Sequence, residues 1–200
     1  MIRNKDFLHV YIAKMPFPHD GVILKERQEE IEKCTNLRVK EEKFYSWKLL
    51  EVAIEEKLGI DPRTIKFKRM ENGKWTCDKC HFSISHSHDV IMVAISNKPV
   101  GVDIECLLDN RDYLSLKERT LTKDEPCDDP MTFLKYWTKK EAYFKYSDLD
   151  KYVPLYINTN EFSNVITKEA LIECDRFVYS VISDNVSLCT FNFINVQISI

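Results

Sequence analysis

The stretch Pro99-Val100-Gly101-Val102-Asp103-Ile104-Glu105 reads as a β-strand with two unlike faces. Successive side chains in a strand alternate, so Val100, Val102 and Ile104 share one side, and Gly101, Asp103 and Glu105 the other. Two carboxylates on one face, about 7 Å apart, repel each other unless a cation or a basic group lies between them. Hard oxygen donors in this spacing suit Mg²⁺. The same pattern also describes two solvated acids on an exposed strand face.

Upstream of that strand, Phe82–Ser87 and Val90–Ser96 read as strands, and Asn97-Lys98-Pro99 turns the chain into residues 100–106. Phe7–Ala13 is a first strand, ended by the Pro16, Pro18 and Gly21 cluster. Ile23–Cys34 is charged and helical, and Arg38–Leu58 carries Phe44, Trp47, Leu50, Ile54 and Leu58 at helical spacing before Gly59 and Asp61-Pro62 stop it. Thr64–Met70 alternates like an edge strand, and Asn72-Gly73 is a turn signal. Downstream, helical character returns at Asp112–Arg119. Asp129-Pro130 then supplies an N-cap and an N1 proline for a helix reaching about Tyr146. Leu155–Ile157, Val165–Cys174, Phe177–Ile182 and Val186–Phe193 are strand-like, with Asp184-Asn185 as a turn. Helix and sheet thus occur twice, in segments 1–106 and 107–200. The expected class is α+β.

Composition narrows the chemistry. Of 200 residues only four are glycine, Gly21, Gly59, Gly73 and Gly101, and no two stand close enough to form a glycine-rich phosphate loop. Phosphate must then be held by side chains or a metal. A net charge of −3 argues against a strongly basic nucleic-acid binder. No run of about 18 apolar residues suits a membrane span, and Met1–Lys14 lacks the cleavage pattern of a signal peptide. Seven cysteines, an odd number, suit reduced thiols in a cytoplasm better than a disulfide framework.

Three further segments bear on chemistry. In Trp137-Thr138-Lys139-Lys140-Glu141-Ala142-Tyr143-Phe144-Lys145, the residues Trp137, Glu141 and Lys145 fall on one helical stripe. Read from the helix pattern alone, this is a surface Glu–Lys pair beside a core Trp. Phe82-Ser83-Ile84-Ser85-His86-Ser87-His88 is rich in hydroxyls and imidazoles, but adjacent strand residues diverge. Ser85 and His86 are therefore badly placed for a nucleophile–base dyad, while a hydroxyl and an imidazole gripping an anion is chemically reasonable. Cys77-Asp78-Lys79-Cys80-His81 has the spacing of a haem-attachment motif or half a zinc knuckle, yet the other cysteines stand singly, so an unligated loop is expected.

The three segments F-S-I-S-H-S, P-V-G-V-D-I-E and W-T-K-K-E-A-Y-F-K, in this order, resemble the 4′-phosphopantetheinyl transferase superfamily, in its surfactin-synthetase-activating branch. The resemblance implies two similar halves related by a pseudo-twofold, clasping coenzyme A at their junction. It implies Asp103, Glu105 and Glu141 as Mg²⁺ ligands, and Lys145, Ser85 and His86 as contacts to the coenzyme A phosphates. Lys74 would neutralise the 3′-phosphate, with Lys33, Lys43 and Lys48 competing for the same role. The implied reaction moves the phosphopantetheine arm onto a serine of an apo acyl or peptidyl carrier protein and releases 3′,5′-ADP. Glu141 is the candidate base, and His86 with Lys145 would neutralise phosphate charge. The implied protein is a cytoplasmic monomer with no nucleic-acid or membrane partner. Rival readings are a metal-dependent phosphodiesterase or nuclease, since acid-x-acid followed by Glu and Lys also suits phosphoryl hydrolysis, and a non-catalytic coenzyme A- or zinc-binding module.

Overall fold

A computed structural model describes residues 5–18, 24–71, 73–147, 149, 151–196 and 198–199. It contains strands β1 (Leu8–Lys14), β2 (Phe67–Arg69), β3 (Trp75–Cys77), β4 (His81–Ser87), β5 (Val90–Ser96) and β6 (Val100–Cys106). Later in the chain come β7 (Val165–Ile172), β8 (Asp175–Ser183), β9 (Cys189–Ile194) and β10 (Ile198–Ser199). The helices are α1 (Lys25–Glu32), α2 (Leu37–Leu58), α3 (Tyr113–Thr120) and α4 (Pro130–Ser147). The class is α+β, as the alternating pattern predicts. Among the described residues no helix is long and apolar enough to cross a membrane.

Helix ends follow local chemistry. The Asn36 side chain accepts the Val39 N–H to start α2, and Gly59 closes it in the left-handed conformation, φ 63°. Asp129 Oδ1 accepts the N–H groups of Met131 and Thr132 at 2.9 and 3.1 Å, and Pro130 opens α4.

Four layers stack as helix, sheet, sheet, helix. The first sheet has the order β4-β5-β1-β9 and the second β10-β7-β8-β6; β2 and β3 form a separate hairpin. On the first sheet, Tyr11, Ala13, Ile91, Val93 and Ile95 pack against Trp47, Leu50 and Ile54 of α2. The opposite face, with Val10, Ile12 and Met92, meets Val100, Val102, Ile104, Tyr179 and Val181 of the second sheet. α4 covers the remaining face, and the Thr138 hydroxyl lies 2.8 Å from that of Ser180 on β8.

Each sheet draws strands from both ends of the chain. β6 precedes residue 107 yet pairs antiparallel with β8, and β9 returns from the C-terminal segment to run parallel with β1. The sheets meet at a serine seam. Along β4, Ser83, Ser85 and Ser87 stand two residues apart, and their Oγ atoms accept the N–H groups of Val102 (3.1 Å), Ile104 (3.4 Å) and Cys106 (3.0 Å). These are the N–H groups on the edge of β6 away from β8, which burial would otherwise leave unsatisfied.

Several sequence expectations need correction. Leu155–Ile157 is no strand; Pro154–Tyr156 forms a single 3-10 turn, because Pro154 lacks the N–H a strand would use. Val186–Leu188 is likewise a 3-10 turn, so β9 begins only at Cys189. Asp184-Asn185 does turn the chain, but out of one sheet into the other rather than into a hairpin. The expected strand at 64–70 shrinks to β2, paired with the unanticipated β3. Asn72 and Gly21 lie outside the described residues. At Gly101 the helix fills the space beside the backbone, since a Cβ there would sit 1.9 Å from the Ala142 carbonyl oxygen.

Candidate active site

The site forms where β6, β4 and α4 meet. Asp103 and Glu105 point toward α4, as alternation predicts, and Trp137, Glu141 and Lys145 come down from the helix at one-turn intervals. Asp103 is buried, 5% exposed. Its Oδ1 accepts hydrogen bonds from Lys145 Nζ at 2.8 Å and Ser85 Oγ at 2.7 Å. Its Oδ2 is buried with no partner, an unusual state for a carboxylate oxygen. Glu105 accepts from Trp137 Nε1 (3.0 Å) through Oε1, and from Ser87 Oγ (3.1 Å) and Arg111 Nη1 (3.3 Å) through Oε2. Each strand acid thus has its own basic neighbour, Lys145 for Asp103 and Arg111 for Glu105.

Burial pushes the Glu105 carboxyl above the ordinary range, and the charge of Asp103 adds to this against the pull of Arg111. Glu141 is raised for the same two reasons, burial first, and only partly relieved by Lys145. Beside it lies the buried Tyr152 hydroxyl, held protonated first by burial and then by the Glu141 charge. Three acids crowd a desolvated corner against two basic groups. A divalent cation would relieve that excess of negative charge, and the orphaned Asp103 Oδ2 is a ready donor. The oxygens of Asp103, Glu105 and Glu141 do not all come within 4.8 Å of one another; among the described residues only His88, Asp89 and Asp175 reach that spacing, on a partly exposed surface.

A cleft of about 500 Å³ opens alongside, lined by Arg27, Lys43, Lys74 and His86 together with Lys145. Trp47, Trp75, Phe82 and Phe144 form its apolar walls. The Arg27 guanidinium lies over the Trp47 and Trp75 rings, 4.9 and 5.4 Å from their centroids. Lys43 pairs with Glu30 at 3.0 Å. Lys74 Nζ donates to the Lys145 carbonyl at 2.8 Å, which brings the β2–β3 hairpin onto the end of α4. His86 projects into the cleft with Nδ1 3.9 Å from Glu42 Oε2, and burial together with the Lys145 charge holds its imidazole below the ordinary value against the pull of Glu42.

The sequence-predicted residues therefore divide. Asp103, Glu105, Glu141 and Lys145 come together, and Lys74, His86 and Lys145 share the cleft. Ser85 is brought to Asp103 and Lys145, its hydroxyl in the seam between the sheets rather than in the cleft. Of the three competing lysines, Lys43 lines the cleft, whereas Lys48 is buried against Glu51 at 2.8 Å and Lys33 lies outside the lining. Arg27, Arg111 and Tyr152 escaped the sequence reading. Arg27 sits in a helix so rich in charge that nothing singled it out. A second buried pair, Lys140 with Glu125 at 2.7 Å, supports the helix from behind. Lys140 also donates to the Pro154 and Ile157 carbonyls, and Glu125 accepts from Thr122 N and from both Thr159 donors.

Comparison with known proteins finds similarity over the segment that carries these acids. The family model described as the 4′-phosphopantetheinyl transferase superfamily matches residues 99–176, from the start of β6 into β8. The 4′-phosphopantetheinyl transferase gsp of Aneurinibacillus migulanus is 28% identical over 162 residues, covering 74% of this chain and 66% of that protein. A 4′-phosphopantetheinyl transferase of Bacillus subtilis is 29% identical over 139 residues, covering 64% and 62%. The 4′-phosphopantetheinyl transferase HetI of a Nostoc species is 30% identical over 103 residues, covering 44% of each. The chain spans less than two thirds of the length of each of these relatives. With β6, α4 and their acids inside the matched region, residues 99–176 are similar to the 4′-phosphopantetheinyl transferase superfamily.

Proposed function

We propose that this protein transfers the 4′-phosphopantetheine arm of coenzyme A to a serine hydroxyl of an acyl or peptidyl carrier protein, leaving 3′,5′-ADP. The observation that carries the reading is the junction of two unlike regions: a cationic, aromatic-walled cleft opens onto a buried acid cluster with an orphaned oxygen. The relatives named as such transferases support it.

Arg27, Lys43 and Lys74 offer the cationic contacts that a nucleotide phosphate needs, His86 offers a neutral imidazole N–H, and Trp47 and Trp75 offer flat apolar surface for the rest of the ligand. Asp103 through Oδ2 and Glu141 would hold Mg²⁺, joined by Glu105 if it releases Arg111 or Ser87. When bound, the ion would supply positive charge where phosphate oxygens gather negative charge. Lys145, bonded to Asp103, Ser85 and the Val102 carbonyl, fixes the carboxylate it touches and presents its own charge at the cleft wall. Glu141, with its proton affinity raised, is suited to accept the serine proton as the hydroxyl attacks the β-phosphate. Ser85 acts as a positioning residue for Asp103 and Lys145. Seven unpaired cysteines fit a cytoplasmic setting, and we take the working unit to be a monomer acting on the carrier and coenzyme A.

The deciding experiment incubates the protein with coenzyme A, Mg²⁺ and a panel of apo-carrier proteins. Gain of the phosphopantetheine mass on the carrier serine, abolished by EDTA, is the expected result. Cleavage of coenzyme A or of nucleic acid without carrier modification would replace this reading with a hydrolase.

A further inference from the structure

The C-x-x-C segment lies apart from the acid cluster, and the proposed transfer makes no use of it. Cys77 ends β3, held in the hairpin by its register with Phe67, and Cys80 stands immediately before β4. Their sulfur atoms are 3.7 Å apart, in contact across a two-residue turn. The two thiols differ in setting. Cys80 is buried in the core with Trp47, Ile65 and Phe82, whereas Cys77 is only half-buried at its edge. Asp78 and Lys79 between them are tied to each other at 2.9 Å, and Asp78 also accepts the Lys66 N–H.

We propose that Cys77 and Cys80 are a redox dithiol that closes to a disulfide by exchange with a small-molecule disulfide. Cys77 is the attacking thiol and Cys80 the resolving one, because only Cys77 is accessible. As a thiolate, Cys77 is stabilised by the Cys80 thiol and then by the backbone N–H groups of Lys79 and Cys80, which outweigh burial and bring its pKa down to about 6. The same contact, with burial, holds the Cys80 proton on far above the ordinary thiol value. An acidic, accessible thiol beside a buried partner is the arrangement that exchange chemistry needs.

The steps balance. Cys77 thiolate attacks one sulfur of the disulfide RSSR, forming Cys77–S–SR and expelling RS⁻. Cys80 then gives up its proton, to RS⁻ or to water, and its sulfur attacks Cys77 Sγ, expelling a second RS⁻. Two protein thiols and RSSR become one protein disulfide and two RSH. Closure from 3.7 Å to a bond of about 2.05 Å stays within the turn. A metal half-site is the competing use of two thiols. Among the described residues, however, no His, Cys, Asp or Glu brings a third ligand atom within 4.8 Å of both sulfurs.

The test uses the full chain equilibrated anaerobically with mixtures of reduced and oxidised glutathione, acid-quenched and mapped by mass spectrometry. The expected product is an intramolecular Cys77–Cys80 link, two hydrogens lighter than the dithiol, formed and reversed as the mixture changes. Iodoacetamide at pH 6 should label Cys77 about tenfold faster than the exposed Cys174. Cys80→Ser should stop at the Cys77–glutathione mixed disulfide, and Cys77→Ser should give no adduct at Cys80. Absence of the 77–80 link at every mixture, equal labelling of Cys77 and Cys174, or one equivalent of added zinc blocking both thiols would overturn the proposal. The mapping on the unaltered chain decides the matter even if a variant fails to fold.

Discussion

Gly101 on β6 lies directly beneath the Ala142 carbonyl of α4, so close that a Cβ on residue 101 would be 1.9 Å from that oxygen and 2.6 Å from Tyr146 N. Both obstacles are backbone, so neither can rotate away. The contact sets how deeply α4 sinks onto β6, and with it the distance from Glu141 and Lys145 to Asp103. Gly101→Ala should destabilise the fold by about 3 kcal/mol or more, seen as a fall in the urea midpoint. Any folded fraction should lose the proposed transfer activity, because the helix must lift.

Glu141 carries a cost that its removal should expose. Its folded pKa lies above the ordinary value, so between about 4.5 and that raised pKa the folded state binds more protons than the unfolded chain. Stability from this group is therefore present at low pH and is lost as pH rises through that window. Glu141→Gln should match the parent in Tm near pH 4.5 in EDTA and exceed it increasingly toward pH 7. Carrier modification should fall at least about 100-fold, and the Tm increment from added Mg²⁺ should vanish. An unchanged Mg²⁺ increment would remove Glu141 from the proposed ligand set.

The Lys140–Glu125 pair is fully buried, with both side chains at 0% exposure. Burial and the partner act oppositely on each: burial lowers Lys140, while the bond to Lys140 helps hold Glu125 low. Lys140→Met leaves a buried carboxylate with only neutral donors and should cost about 3–5 kcal/mol by chemical denaturation. The double change Lys140→Met with Glu125→Leu should recover most of that loss. It should not recover full activity, because Lys140 also ties the Pro154 and Ile157 carbonyls to the helix.

Arg27 offers the cleft a charge already spread against two tryptophans. Arg27→Ala should weaken 3′,5′-ADP binding about 10- to 100-fold, the range of one lost charge-assisted hydrogen bond. The intrinsic fluorescence change of Trp47 and Trp75 reports it. Raising salt should weaken the parent more than the variant.

How far the sequence spoke depended on whether a pattern was local. Alternation placed Asp103 and Glu105 on one face, and helical spacing placed Glu141 and Lys145 on one stripe; neither needed knowledge of the partner element. What the alternation of β4 could not say was which element its serines would meet. Ser85 looked like an anion-binding hydroxyl, yet with Ser83 and Ser87 it satisfies the edge of a strand 19 residues on. Arg111 and Tyr152 reach the acids only because the chain folds back, and no local spacing announces that. The 3-10 turn at Pro154–Tyr156 was misread because Leu, Tyr and Ile suit strands by composition, while the proline and the Lys140 bonds decide otherwise.

The exchange of strands between the sheets bears on how the protein is made. β1 leaves the ribosome well before its parallel neighbour β9, which begins only at Cys189. Until then β1 has β5 on one side and an open row of backbone groups on the other, and β6 waits similarly for β8. Loop closure over so long a span is entropically slow, so folding should be delayed by these late pairings. A chain cut after residue 106 would keep β6 without its sheet and β1 with an unguarded edge, a species prone to associate with its own copies.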